Sequence, residues 1–126
     1  MKIVNNIVGG LLGLLFIYAS VVVLFKLGPV PPAPPEGSAA YHFMNAFFPT
    51  GYMTFVKVCE LVGGILVAIP KTRNFGLLIL GPIIINIIAY HAFVMKGEGL
   101  VGTAVVGVPA LYLLCAAYRQ FLALKN

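Results

Sequence analysis

The sequence predicts an all-α integral membrane protein: a bundle of four transmembrane helices, with a proline-rich outer loop and a short interfacial helix between spans one and two. Three observations carry this expectation. Of the 126 residues, 61% are hydrophobic and only 9% charged, with a mean hydropathy of +1.05. A soluble domain carries roughly 25% charged residues, so this chain lacks the polar surface to cover itself in water. Four apolar runs also approach the roughly 20 residues that a spanning helix needs. Finally, most of the charges gather between or beyond those runs, as in PKTRN and KGEG. The whole chain, 1–126, reads as one domain.

Span one covers residues 3–25. Lys2 precedes it as in a signal peptide, but the run is too long for a signal core and no small-x-small site closes it, so it reads as a retained helix. Next comes GPVPPAPPEG. Such proline density forbids helix and favours extended polyproline geometry. It reads as a stiff spacer, with a PxxP ligand as the alternative. Within 38–48, Ser38 is an N-cap candidate. Ala40, Phe43, Met44, Phe47 and Phe48 then follow the spacing of one apolar helical face. With Pro49 and Gly51 closing it, this segment is placed to lie in the interface and cap the bundle. Span two covers 52–69, span three 75–94 and span four about 100–121. The short connections imply antiparallel neighbours.

Four spans put both termini on one side, together with Lys2, Lys71, Arg73, Arg119 and Lys125, against Lys26 and Lys96 on the other. The positive-inside rule then makes both termini cytoplasmic. The net charge of +5 is thereby a topology signal, and nucleic acid is not an expected partner. Gly9-x-x-x-Gly13 and Gly64-x-x-x-Ala68 are small-residue patterns that let helix backbones approach closely. Pro82 and Pro109 fall inside spans three and four and are expected to bend them.

The functional signal is a polar layer inside the apolar spans. Counting at about 1.5 Å per residue, Lys57 lies about 7 Å and Glu60 about 12 Å below the outer end of span two. On span three His91 lies about 6 Å and Asn86 about 13 Å deep, and on span one Tyr18 about 10–12 Å. Lys57 thus comes level with His91, and Glu60 with Asn86. A lone charge at a helix centre costs about 2.5–3.5 kcal/mol on insertion scales. Lys57 and Glu60 are i, i+3 neighbours that can pair; His91, Asn86 and Tyr18 are expected to supply the remaining hydrogen bonds around a small outward-opening cavity. No second histidine or carboxylate completes a metal site, so no metal is expected. Cys59 and Cys115 differ in depth by about 11 Å on the same count, too far for a disulfide.

Lys57-x-x-Glu60-x-x-Gly63-Gly64, and GPIIINIIAYHAF at 81–93 with Gly81-Pro82, Asn86 and His91, resemble the DoxX family of small four-span membrane proteins. The layout matches over nearly the whole chain. Span one departs from the family pattern, with Ser20 and Lys26 where a glycine often precedes a basic residue. The resemblance implies a four-helix transmembrane bundle, with a bacterial inner membrane as the expected setting. Some relatives are subunits of thiosulfate:quinone oxidoreductase, others associate with redox or detoxification partners, and distant animal relatives act as chaperones for receptor assembly. Two readings of the polar layer follow. In one, the chain is a subunit of a quinone-linked redox or sulfur-compound complex. Glu60 and His91 then move protons as catalytic groups, while Lys57, Asn86 and Tyr18 bind the substrate or quinone. No flavin, haem or metal motif is visible, so electrons come from a partner or from the substrate. In the other, the chain is an accessory or assembly protein whose Lys57–Glu60 network only holds the bundle. Both readings expect the bilayer and protein partners, in a membrane complex or a homo-oligomer. A transporter reading is weaker, because four spans without a repeat leave little room for alternating access.

Overall fold

The computed structural model describes residues 2–29 and 31–125; Val30, in the proline-rich segment, lies outside the described residues. Every regular element among them is helical. The helices are α1 (Lys2–Leu24), α2 (Ala39–Phe47), α3 (Tyr52–Ala68), α4 (Arg73–Ala89), α5 (Ala104–Ala116) and α6 (Tyr118–Leu122). A π turn, Tyr90–Val94, extends α4, and short 3₁₀ turns precede α3, α4 and α5.

The chain ends α1 by a left-handed cap. Lys26 has φ 54°, and the amides of Lys26 and Leu27 return to the carbonyls of Val23 and Val22 at 3.3 and 2.9 Å. This is the hydrogen-bond pattern of a Schellman cap, in which glycine is the usual residue. Ser38 caps α2 as expected, accepting from the Tyr41 amide at 3.1 Å. Gly51, at φ 82°, then turns the chain through 82° into α3.

Helices α1, α3, α4 and α5 close a ring of contacts, in which α3 packs most extensively, against α1 and α4. The core is Leu12 and Phe16 of α1, Val67 of α3, Leu77, Leu80 and Ile84 of α4, and Ala110 and Leu113 of α5. The two small-residue motifs meet here. A Cβ on Gly13 would stand 2.5 Å from the Gly64 carbonyl oxygen and 2.7 Å from Ala68 Cβ. At this crossing the backbones of α1 and α3 touch with no room for a side chain.

The membrane count differs from the sequence expectation. Lys2–Leu24 and the continuous segment Pro70–Val94 are long and apolar enough to cross a bilayer; a third span is counted if α2 and α3 form one broken crossing. Val101–Ala116 is apolar but shorter. The reason lies in the breaks. Helix α3 starts at Tyr52 as expected, directly after the Gly51 bend, and extended Ile69 (φ −89°, ψ 120°) before Pro70 ends it. Its 17 residues reach about 25 Å, against a hydrocarbon core of about 30 Å. Span four is likewise divided at Ala117 into α5 and α6.

Arg73 is a second departure. Read from sequence only as a topology charge of the PKTRN turn, it is buried. Its Nε donates to the Val67 carbonyl at 3.1 Å and one Nη to Asn6 Oδ1 at 3.2 Å, tying α4 to α3 and α1. The guanidinium lies against Gly9, where a Cβ would collide with Nε. Gly9→Ala is therefore expected to expel the guanidinium and lower stability by about 2–3 kcal/mol. Thermal unfolding in detergent measures this. In an Arg73→Met background, the same alanine is expected to have a much smaller effect, because the charged group that it displaces is gone.

Candidate functional site

The polar residues of α3 and α4 converge at the end of the bundle that carries α2. Lys57 Nζ lies 3.1 Å from Glu60 Oε2. Glu60 is only 4% exposed, whereas the Lys57 side chain keeps 21% of its surface. The i, i+3 spacing on α3 therefore produces the expected pair, with the carboxylate innermost.

A cavity of about 490 Å³ opens beside this pair. Lys57, Glu60, Asn86 and His91 all line it. The rest of its wall is apolar or aromatic, with Phe43 and Met44 from α2, Tyr52, Met53 and Val56 from α3, Ile83 from α4, and Tyr90 from the π turn. Helix α2 forms its cover. Phe43 stacks at 5.0 Å on Tyr90 and at 4.8 Å on Phe47, which in turn meets Tyr52 at 5.1 Å between ring centres. Such tilted pairs add about 0.5–1.5 kcal/mol each beyond burial.

His91 owes its position to the π turn. The Met95 amide reaches back to Tyr90 O at 3.0 Å, and the Gly97 amide to His91 O at 2.7 Å. The wider turn rotates the residues after Ala89 relative to a continuing α-helix. Single π turns of this kind recur at functional sites. His91 Nδ1 lies 2.8 Å from the Ile87 carbonyl. A carbonyl only accepts, so this contact places a proton on Nδ1 and leaves Nε2 as the acceptor of the neutral ring. Tyr90 packs edge-on against the imidazole at 5.3 Å.

Asn86 donates one N–H to the Pro82 carbonyl at 3.0 Å, which leaves its second N–H and its oxygen for the cavity. Tyr18 does not join the cluster. It is 73% exposed on the outer face of α1 and lines neither this cavity nor its neighbour, which corrects the expectation that it donates to the network. The small-residue face of α1 was the available signal: at about 100° per residue Tyr18 stands roughly opposite Gly9 and Gly13, which turn inward. Cys59 is partly buried, Cys115 is exposed, and both are free thiols.

The neighbouring cavity, of about 410 Å³, lies on the α1 and α5 side. It shares Lys57, Glu60, Ile87 and His91 with the first, so the charged pair and the imidazole form a partition between the two. Gly99, at φ 76°, belongs to this second wall, and a Cβ there would stand 3.0 Å from His91 Cδ2 and 3.5 Å from Nε2. Sequence reasoning placed the phenylalanine-bearing 38–48 segment as a cap but missed Gly99, Tyr90 and the stacking of Phe43 on Tyr90. The juxtaposition of two aromatics in α2 with AYHAF in span three was the available signal.

No family model, curated protein or solved structure matches this chain. The geometry itself therefore carries the functional reading. It offers a half-open, largely apolar chamber with a buried carboxylate, a paired ammonium, an amide and an imidazole on one wall.

Proposed function

We propose that this chain is a DoxX-like membrane subunit that binds, beside Glu60, a ligand with an apolar body and a hydrogen-bonding head. A quinone of a redox or sulfur-compound complex fits this description. The observation that carries the reading is the cavity itself: Lys57, Glu60, Asn86 and His91 face open space lined by aromatic and aliphatic groups, not side-chain packing. Ligand chambers are typically concave and apolar, with a few convergent polar groups. The Lys57 charge is balanced by Glu60 at 3.1 Å, which favours a neutral head over an anion. Lys57 and Asn86 donate to the head, and Glu60 and His91 exchange protons with it. Reduction of a quinone to its quinol takes two protons and two electrons; the electrons come from a redox partner or the sulfur substrate.

In this reading the chain crosses the membrane four times, with both termini cytoplasmic. The ring of α1, α3, α4 and α5 supports it. The flanking turns and a locally thinned bilayer compensate for the shortness of α3 and α5. Equilibrium binding of a short-chain benzoquinone to the protein in lipid nanodiscs tests the proposal. Saturable binding that is lost on changing Lys57 and Glu60 supports it, and absence of binding to the native chain refutes it.

The burial of Glu60 against Lys57 favours a second reading, in which the pair only holds the bundle together. Lys57→Met alone leaves a buried carboxylate without its partner and is expected to destabilise by about 3–5 kcal/mol. Adding Glu60→Leu is expected to restore folded yield. Under the purely structural reading, that double variant also restores whatever the native protein does in its complex. Under the ligand reading it folds but does not bind the quinone. Yield and binding measured on the same preparation separate the two.

A further inference from the structure

We propose that the second cavity is a water-filled route by which protons reach Glu60 and His91 from the 96–102 loop, apart from the entrance used by the ligand. The inference rests on the reading above for where the ligand sits, but not for the existence of the route.

The partition is the first argument. Glu60 is almost fully buried, yet it lines both cavities. A ligand filling the chamber under α2 covers one face of the carboxylate and leaves the other facing the second cavity. The imidazole supplies the second argument. Its Nδ1 is engaged by the Ile87 carbonyl, and its edge from Cδ2 to Nε2 lies against Gly99, which lines only the second cavity. The acceptor edge of the ring therefore borders the second cavity, while the imidazole also lines the ligand chamber. The third argument is the wall. Ala19, Gly99 and Gly102 leave the space open, and a Cβ on Gly102 would meet nothing within 4 Å. A volume of about 410 Å³ with a carboxylate, an ammonium and an imidazole on its surface meets both conditions for holding water, room and polar partners.

The titratable groups that face His91 are Lys57 and Glu60 from α3 and Tyr90 from its own turn; the lining residues from α1 and α5 are not titratable. A proton leaves water in this cavity, arrives on the Glu60 carboxylate directly or by way of Nε2, and passes from Glu60 to the ligand on the opposite face, while bulk water reprotonates the hydroxide left behind. No other bond changes.

Hydrogen–deuterium exchange at the imidazole C2 position, followed by mass spectrometry on the full chain in nanodiscs, tests the route. His42, exposed on α2 and outside both cavities, is the internal control. We expect His91 to exchange in the native protein, and to keep exchanging when a short-chain benzoquinone is bound. Gly102→Leu, which fills the second cavity, is expected to slow His91 severalfold without changing His42. Ala19→Leu fills the same space from α1 and is expected to act alike, which guards against a local effect of either substitution. Unchanged exchange at His91 in both variants overturns the route, as does exchange that stops when the quinone alone is added. Met53→Cys, in the ligand chamber, separates the two proposals in a background where Cys59 and Cys115 are serine. If the quinone fails to protect it from a thiol reagent, the ligand reading fails, while the effect of Gly102→Leu in quinone-free protein still decides the route.

Discussion

Glu60→Gln is expected to abolish quinone-linked turnover while the protein still inserts and folds. The substitution keeps the shape of the side chain and its ability to bond to Lys57, but it removes the negative charge and the exchangeable proton. Loss of a positioned acid or base lowers rates by about 10²–10⁴. Insertion survives because Lys57 keeps a fifth of its side-chain surface accessible and can extend towards the end of its helix. The measurement is turnover of a short-chain benzoquinone in liposomes with the redox partner present, beside the amount of folded protein from the same preparation. Native turnover in this variant refutes the proton role of Glu60. Loss of folded protein in parallel with activity favours the purely structural reading.

Gly13→Leu is expected to disrupt the packing of α1 against α3. A Cβ at this position already meets the carbonyl oxygen of Gly64 and the Cβ of Ala68. The first of these is backbone, so relief requires α1 and α3 to separate. Overpacking of a close-packed site costs about 1–3 kcal/mol, and here the strain falls on the most extensive contact of the bundle. Gly13→Leu is therefore expected to lower the thermal midpoint sharply and to reduce yield. Gly10 is the matched control, since a Cβ there meets nothing within 4 Å. Gly10→Ala is expected to be neutral or to stabilise slightly, because alanine favours helix over glycine by about 1 kcal/mol. Equal loss in both variants contradicts the proposed crossing.

The parts of the structure that were legible in the sequence are those with local causes. Ser38 announces α2, Gly51 ends it, and the spacing of Lys57 and Glu60 produces the pair. The two small-residue motifs meet because both depend on the same lack of a side chain. Other features depend on distant partners. The burial of Arg73 requires Gly9 on another helix, and a sequence reading sees only a cation in a turn. The π turn arises from how the chain after Ala89 closes onto the 95–97 turn, and no residue pattern marks it. Depth brings Tyr18 level with the polar layer, but depth does not fix rotation. Rotation is marked instead by Gly9 and Gly13, which face α3 and Arg73 and lie roughly opposite Tyr18 at about 100° per residue.

The central claim is that the space bounded by Glu60, Asn86, His91 and the aromatic cover of α2 holds a ligand. A crystal structure grown in a lipid mesophase with a short-chain benzoquinone tests it most directly. The account predicts the quinone ring beneath Phe43 and Tyr90, with a carbonyl oxygen within hydrogen-bond distance of Lys57 or Asn86. A cavity closed by packed side chains, or a quinone bound only elsewhere on the bundle, contradicts it.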